Sequence, residues 1–190
     1  VVMFFEVLTI SKYLTFISSF AFVGLLLAMS TLTLNTEGNL SANSLALRRK
    51  ASVIGLIWFL SSGTFLIATL AEILGVGFTD ALDTTTIRSF VSQVTIGQYL
   101  LAQTLVAFVV GYLILRLKRV IPALVLLVIS LVVITAPALE SHSASGGSHA
   151  LAIGSMLLHV AGLTLWVGGL FALMFLAPED RRIALPRFSV

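Results

Sequence analysis

The sequence contains no cysteine and very little charge. Without thiols, disulfides, Cys-based zinc sites and thiolate copper sites are excluded, which leaves His, Met and carboxylate as candidate metal ligands. Charged residues make up 10% of the 190 positions, where a soluble domain carries roughly 25%. Hydrophobic residues make up 58%, and mean hydropathy is +1.11. So little polar surface excludes a soluble domain and predicts an integral membrane protein. The apolar runs are long and continuous, whereas barrel strands would alternate over segments of about ten residues. The expected fold is therefore all-α, a polytopic membrane helix bundle surrounded by lipid. The net charge of +3 does not point to nucleic acid, because the cations stand in short clusters at the ends of apolar runs, where orientation signals belong.

Five spans are expected, at residues 7–29, 51–73, 89–115, 120–137 and 149–176. Polar linkers are expected at 30–50 and 78–88. Lys12 and Tyr13 suit an interfacial anchor, and Pro122 stands near a first turn, where proline is tolerated. Glu72 has two readings, as a buried ligand or proton carrier, or as an interfacial residue beside the Asp80–Asp83 segment. Gln93, Gln98 and Gln103 are spaced by five, so they fall on different helix faces. Three cationic clusters, Arg48-Arg49-Lys50, Arg116 to Arg119 and Arg181-Arg182, share one side if the five spans alternate. The positive-inside rule then puts the N-terminus outside and the C-terminus in the cytoplasm. The chain opens on Val1 and stops at Val190, and we expect residues 1–190 to be one transmembrane domain, an incomplete part of a longer polypeptide.

All three histidines fall within residues 140–169. His142 and His149 lie in a Gly/Ser-rich polar stretch with Glu140 at its start. His159 lies ten residues further on, inside an apolar run. At about 1.5 Å per residue it sits roughly 15 Å into a hydrocarbon layer about 30 Å thick. An ionisable side chain at that depth marks a candidate functional site. Ser155, His159, Gly162 and Trp166 are spaced four, three and four apart and form one stripe, with Met156 beside it. We expect that stripe to face the bundle interior, with Gly162 and Gly169 admitting a close helix neighbour. Imidazole suits Cu(II) and Zn(II), and thioether suits Cu(I). Outer Glu140, His142 and His149 with deeper Met156 and His159 thus form a candidate copper path. The spacing equally admits a packed, hydrogen-bonded His159 and solvent-exposed outer histidines.

The run Ser141-His142-Ser143-Ala144-Ser145-Gly146-Gly147-Ser148-His149, followed by Leu158-His159 and Leu165-Trp166-Val167-Gly168-Gly169-Leu170, resembles the copper resistance protein D (CopD) family. In particular it looks like actinobacterial forms in which that domain is fused to a CtaG-like cytochrome oxidase assembly domain. The resemblance implies copper handling in the bacterial inner membrane without catalytic turnover, a respiratory oxidase or its assembly factors as partners, and about eight spans in the complete domain. Two other classes stay open. One is an accessory membrane subunit of a respiratory complex. The other is a haem-binding electron carrier, for which His159 lacks a second histidine at equal depth. No Ser-His-carboxylate set converges at one depth, which argues against a hydrolase.

Overall fold

A computed structural model describes residues 2–139 and 149–188, all helical apart from turns and short connections. The helices are α1 (Val2–Leu27), α2 (Ala42–Leu74), α3 (Thr84–Gln93), α4 (Thr95–Leu113), α5 (Val120–Thr135), α6 (His149–Phe175) and α7 (Pro178–Phe188). Four stretches are long and apolar enough to cross a membrane: Glu6–Leu32, Ala42–Leu74, Thr95–Arg116 and Ile153–Phe175. The apolar α5 is shorter, about 24 Å at helical rise. A 3-10 turn over Ala136–Leu139 adds about 8 Å. Of the five expected spans four are of membrane length, and the fourth in chain order is a shorter apolar helix. Gln98 is exposed and Gln103 buried on α4, so these two lie on different faces, while Gln93 is exposed at the end of α3 and shares no helix with them.

α1 is the axial helix, packed against α2, α5 and α6, with α4 closing the ring between α2 and α5. Glycine sets the two tightest crossings. A Cβ on Gly24 of α1 would overlap the backbone carbonyl of Gly168 on α6, and one on Gly55 of α2 would stand 2.8 Å from the Cα of Gly111 on α4. Removing the side chains lets the backbones approach, which in lipid is the main source of helix–helix attraction. Ser52 Oγ donates to the Gly111 carbonyl (2.8 Å) and fixes the second crossing.

Two segments expected as linkers are largely helical. α1 runs on through a π turn, Ala28–Leu32, and α2 starts at Ala42, nine residues before its expected start. Ser41 caps α2 by accepting from the Ser44 amide. The 78–88 stretch holds a 3-10 turn, Asp80–Leu82, and the first half of α3. Asp83 caps α3, accepting from the Thr86 amide and hydroxyl at 2.8 Å each. The third span therefore does not begin at residue 89. The chain breaks at Val94, which is extended (φ −109°, ψ 121°), and the membrane-length helix is α4. The cause is local: the first three residues of α3 are threonines, and its apolar residues Ile87, Phe90 and Val91 occupy one side only. Such a ten-residue helix packs its apolar side on the neighbouring helices and is too short to cross lipid. Phe90 is buried with Leu66, Leu70, Ala71, Ala81 and Leu100.

Candidate functional site

The three cationic clusters meet at one end of the bundle. Arg48 donates to the Leu115 (3.1 Å) and Leu117 (2.9 Å) carbonyls, satisfying acceptors in and just after the 3-10 turn Ile114–Arg116 that follows α4. The Leu40 amide donates to the Lys118 carbonyl, and the Val120 amide to the Gly38 carbonyl, both at 2.9 Å. Lys50 Nζ lies 5.6 Å from the Phe175 ring centre. Arg181 Nε donates to the Leu173 carbonyl (2.9 Å) beyond the end of α6. The start of α6, at His149, therefore lies toward the opposite, cation-poor end. Glu72 is exposed near the C-terminal end of α2, at that same end, which fits its interfacial reading.

Of the five candidate ligands, Glu140 and His142 lie outside the described residues. His149 opens α6. Met156 and His159 lie one turn apart on α6, Met156 partly buried and His159 exposed. His159 is six residues inside the Ile153–Phe175 stretch, about 9 Å along the helix, and so within the apolar layer. Among the described residues no group of three or more His, Cys, Asp or Glu side chains gathers as a metal cage. Met156 and His159 alone provide one thioether and one imidazole, a soft and a borderline donor on one helix face.

The stripe through His159 is one face of α6, as expected, but it does not face the bundle. Ser155, His159, Gly162 and Trp166 are all exposed, Trp166 by 60%. A Cβ on Gly162 would meet nothing within 4 Å. The buried face carries Thr164, Gly168 and Ala172, which sit about 140–220° around the helix from the stripe at 100° per residue. The reason is the crossing at Gly24: Gly168, not Gly162, is the residue whose missing side chain admits α1. Gly169 is also in a close contact, with the Phe188 ring of α7. The signal for the true face was the small residue at every fourth position, Thr164-Gly168-Ala172, matched by Gly24 on α1.

Outside the spans, Asp83 at the start of α3 is held by its own cap. The hydroxyl and amide of Thr86 hydrogen-bond to Asp83 and hold its carboxyl below the usual carboxylate range.

Comparison with known proteins adds the family. No curated protein and no solved structure matches the chain. The family model described as copper resistance protein D-like, N-terminal domain, matches residues 3–150. That range takes in α1 to α5 and the histidine-bearing segment and stops at the start of α6, so His159 lies beyond it. The matched range is most of the polypeptide, it agrees with the multi-pass helical architecture, and on that basis the chain belongs to the copper resistance protein D-like family.

Proposed function

We propose that this protein handles copper in the bacterial inner membrane, binding it at outward-facing histidines and passing it inward or to cytochrome oxidase assembly. The observation that carries the reading is the convergence of all three cationic clusters on one end of the bundle. With the positive-inside rule, that end is cytoplasmic, and the segment holding Glu140, His142 and His149 opens to the outer side. Family membership supplies the association with copper. In this reading the outer carboxylate and imidazoles receive the ion, and Met156 and His159 take it one step into the apolar layer, where a thioether favours the reduced form. No bond of the cargo is made or broken beyond ligand exchange.

The test is copper content per chain after loading under oxidising and under reducing conditions. Wild type is expected to retain copper, and a His142→Ala/His149→Ala/His159→Ala variant, folded to the same melting temperature, to lose it. Equal copper in both proteins would refute the assignment. One observation favours a second reading, a non-catalytic accessory subunit of a respiratory complex: the His159 stripe of α6 faces away from every described helix. A chain that binds no copper under either condition would support that reading instead.

A further inference from the structure

The close crossing of α2 and α4 at Gly55 and Gly111 leaves the outer side of this helix pair grooved. The groove holds about 220 Å³ and runs along Ser52, Val53, Gly55 and Phe59 of α2 and Phe108 and Gly111 of α4. The two glycines are buried and form its floor. Val53, Leu56, Phe108 and Tyr112 line it and are each at least half exposed, so they stand as its walls. Val53 and Leu56 are three residues apart, and Phe108 and Tyr112 four, so each wall is one helix face.

Its two ends differ in chemistry. Toward the middle of the bundle it stops at Phe59 and Phe108, whose ring centres are 5.3 Å apart. Toward the cationic end it opens into a second recess of about 350 Å³. That recess shares Ser52, Val53 and Leu115 with the first and adds Leu45, Arg48 and Arg49. Ten residues separate Arg49 from Phe59, about 15 Å along α2. Half of a hydrocarbon layer about 30 Å thick has the same depth. The groove therefore spans one leaflet, cationic at its mouth and apolar below.

The cations at the mouth are not neutralised by the protein. Arg48 is tied to the backbone, its Nε donating to the Leu45 carbonyl and its Nη1 to those of Leu115 and Leu117. Arg49 is exposed and makes no hydrogen bond or ion pair among the described residues. Arg116 lies over the Tyr112 ring, 5.0 Å from its centre, beside the same groove. No Asp or Glu lines either recess. An apolar groove alone would be ordinary lipid contact. Here it leads to an unpaired guanidinium, whose planar fork of donors suits a phosphodiester.

We propose that the α2–α4 groove is a binding site for one phospholipid of net negative headgroup, in the leaflet at the cationic end. The phosphodiester sits at Arg49, beside the anchored Arg48, and an acyl chain lies over Gly55 and Gly111 down to the Phe59–Phe108 pair. Charge complementarity selects this occupant, because a basic recess between membrane helices favours anionic headgroups. A zwitterionic lipid fits the apolar part equally well, but its own ammonium group offsets the phosphate. The bound chain also fills the space that the glycine crossing leaves open. The inference depends neither on copper binding nor on which side of the membrane is cytoplasmic.

The test is native mass spectrometry of the protein in detergent with equimolar dioleoyl phosphatidylglycerol and dioleoyl phosphatidylcholine. Wild type is expected to retain phosphatidylglycerol as its first bound lipid at least fivefold over phosphatidylcholine. Arg49→Gln should bring that ratio close to one. Arg182→Gln removes another exposed cation from the same end, outside both recesses, and should leave the ratio unchanged. Val53→Trp fills the groove from an exposed position. It should lose the bound phosphatidylglycerol while its melting temperature in lipid-free detergent matches wild type. Equal effects of Arg49→Gln and Arg182→Gln would mean diffuse attraction to the cationic end and would overturn the site. A wild type without preference, or a Val53→Trp variant that retains the lipid as wild type does, would overturn it too. No readout involves copper, so failure here is separate from failure of the copper assignment.

Discussion

The two kinds of glycine in this bundle should respond to the same substitution with opposite sign. Gly162 sits in mid-helix with open space where a Cβ would go, so Gly162→Ala gains helix propensity, about 1 kcal/mol at most. Gly24→Ala gains the same propensity term but drives its methyl into the Gly168 backbone carbonyl. That carbonyl belongs to a helix and cannot rotate aside, so α1 and α6 must separate. Overpacking of this kind costs roughly 1–3 kcal/mol, and separation also loses the dispersion contacts that hold helices together in lipid. The net expectation for Gly24→Ala is a loss of about 1–2 kcal/mol. At roughly 2–4 °C per kcal/mol for a chain of this size, its melting midpoint in detergent falls by several degrees. That of Gly162→Ala stays level or rises slightly. Tryptophan fluorescence or circular dichroism during heating measures both. Gly168→Ala should resemble Gly24→Ala, and the double variant should lose less than the sum, since both disrupt one contact. Melting of Gly162→Ala well below wild type, with Gly24→Ala unchanged, would show that α6 turns its other face to the bundle and would refute the packing.

Other expectations concern the ends of the bundle. Arg48→Ala removes two donors from carbonyls of the turn that follows α4 and should lower stability by about 1 kcal/mol, with faster amide exchange after Tyr112; unchanged exchange there would contradict the cap. The carboxyl of Asp83 is held below its ordinary value, so its contribution is complete above the unfolded-state pKa near 4 and is lost as pH falls through the lower folded value. Exchange at the start of α3 should accelerate below about pH 4 in wild type and be fast at every pH in Asp83→Ala. A wild-type profile flat down to pH 2 would disprove the linkage. For sidedness, Asp80→Cys should be labelled by an impermeant thiol reagent from outside intact cells and Glu37→Cys should not; the reverse pattern would invert the proposed orientation.

The sequence conveyed the fold more fully than it conveyed the site. Length and hydropathy are enough to find the four longest spans, because an apolar stretch of twenty residues has few alternatives to spanning. The break before α4 was also readable, in Asp83 as a cap and in the polar residues of α3, once the run is judged by its sides and not by its average. The direction faced by α6 was not readable from α6 alone. A helical wheel groups Ser155, His159, Gly162 and Trp166 correctly, but in lipid every side of a helix is apolar, so hydropathy does not say which side is inside. That choice is made by Gly24, some 140 residues earlier. A histidine within the apolar layer invites an inward assignment on energetic grounds, and here the backbone contact outweighs it. The outer cluster is least accessible to such reasoning, because a short Gly/Ser-rich segment imposes no geometry on Glu140 and His142.

The axial position of α1 also shapes how the protein is made. Within this chain it leaves the ribosome before all of its partners, and Gly168 follows Gly24 by about 7–30 s at ordinary rates of synthesis. During that interval the helix waits in lipid with four hydroxyls that will later be enclosed. Each already donates to a carbonyl within its own turn: Ser11 to Leu8, Thr15 to Ser11, Ser18 to Leu14 and Ser19 to Phe16. The helix is therefore tolerated by the bilayer while alone, and assembly can proceed in chain order. Replacing these hydroxyls by asparagine or glutamine, which reach beyond their own helix, would leave unmet donors exposed to lipid during that wait. Biogenesis, more than the finished bundle, would then restrict these positions to serine and threonine.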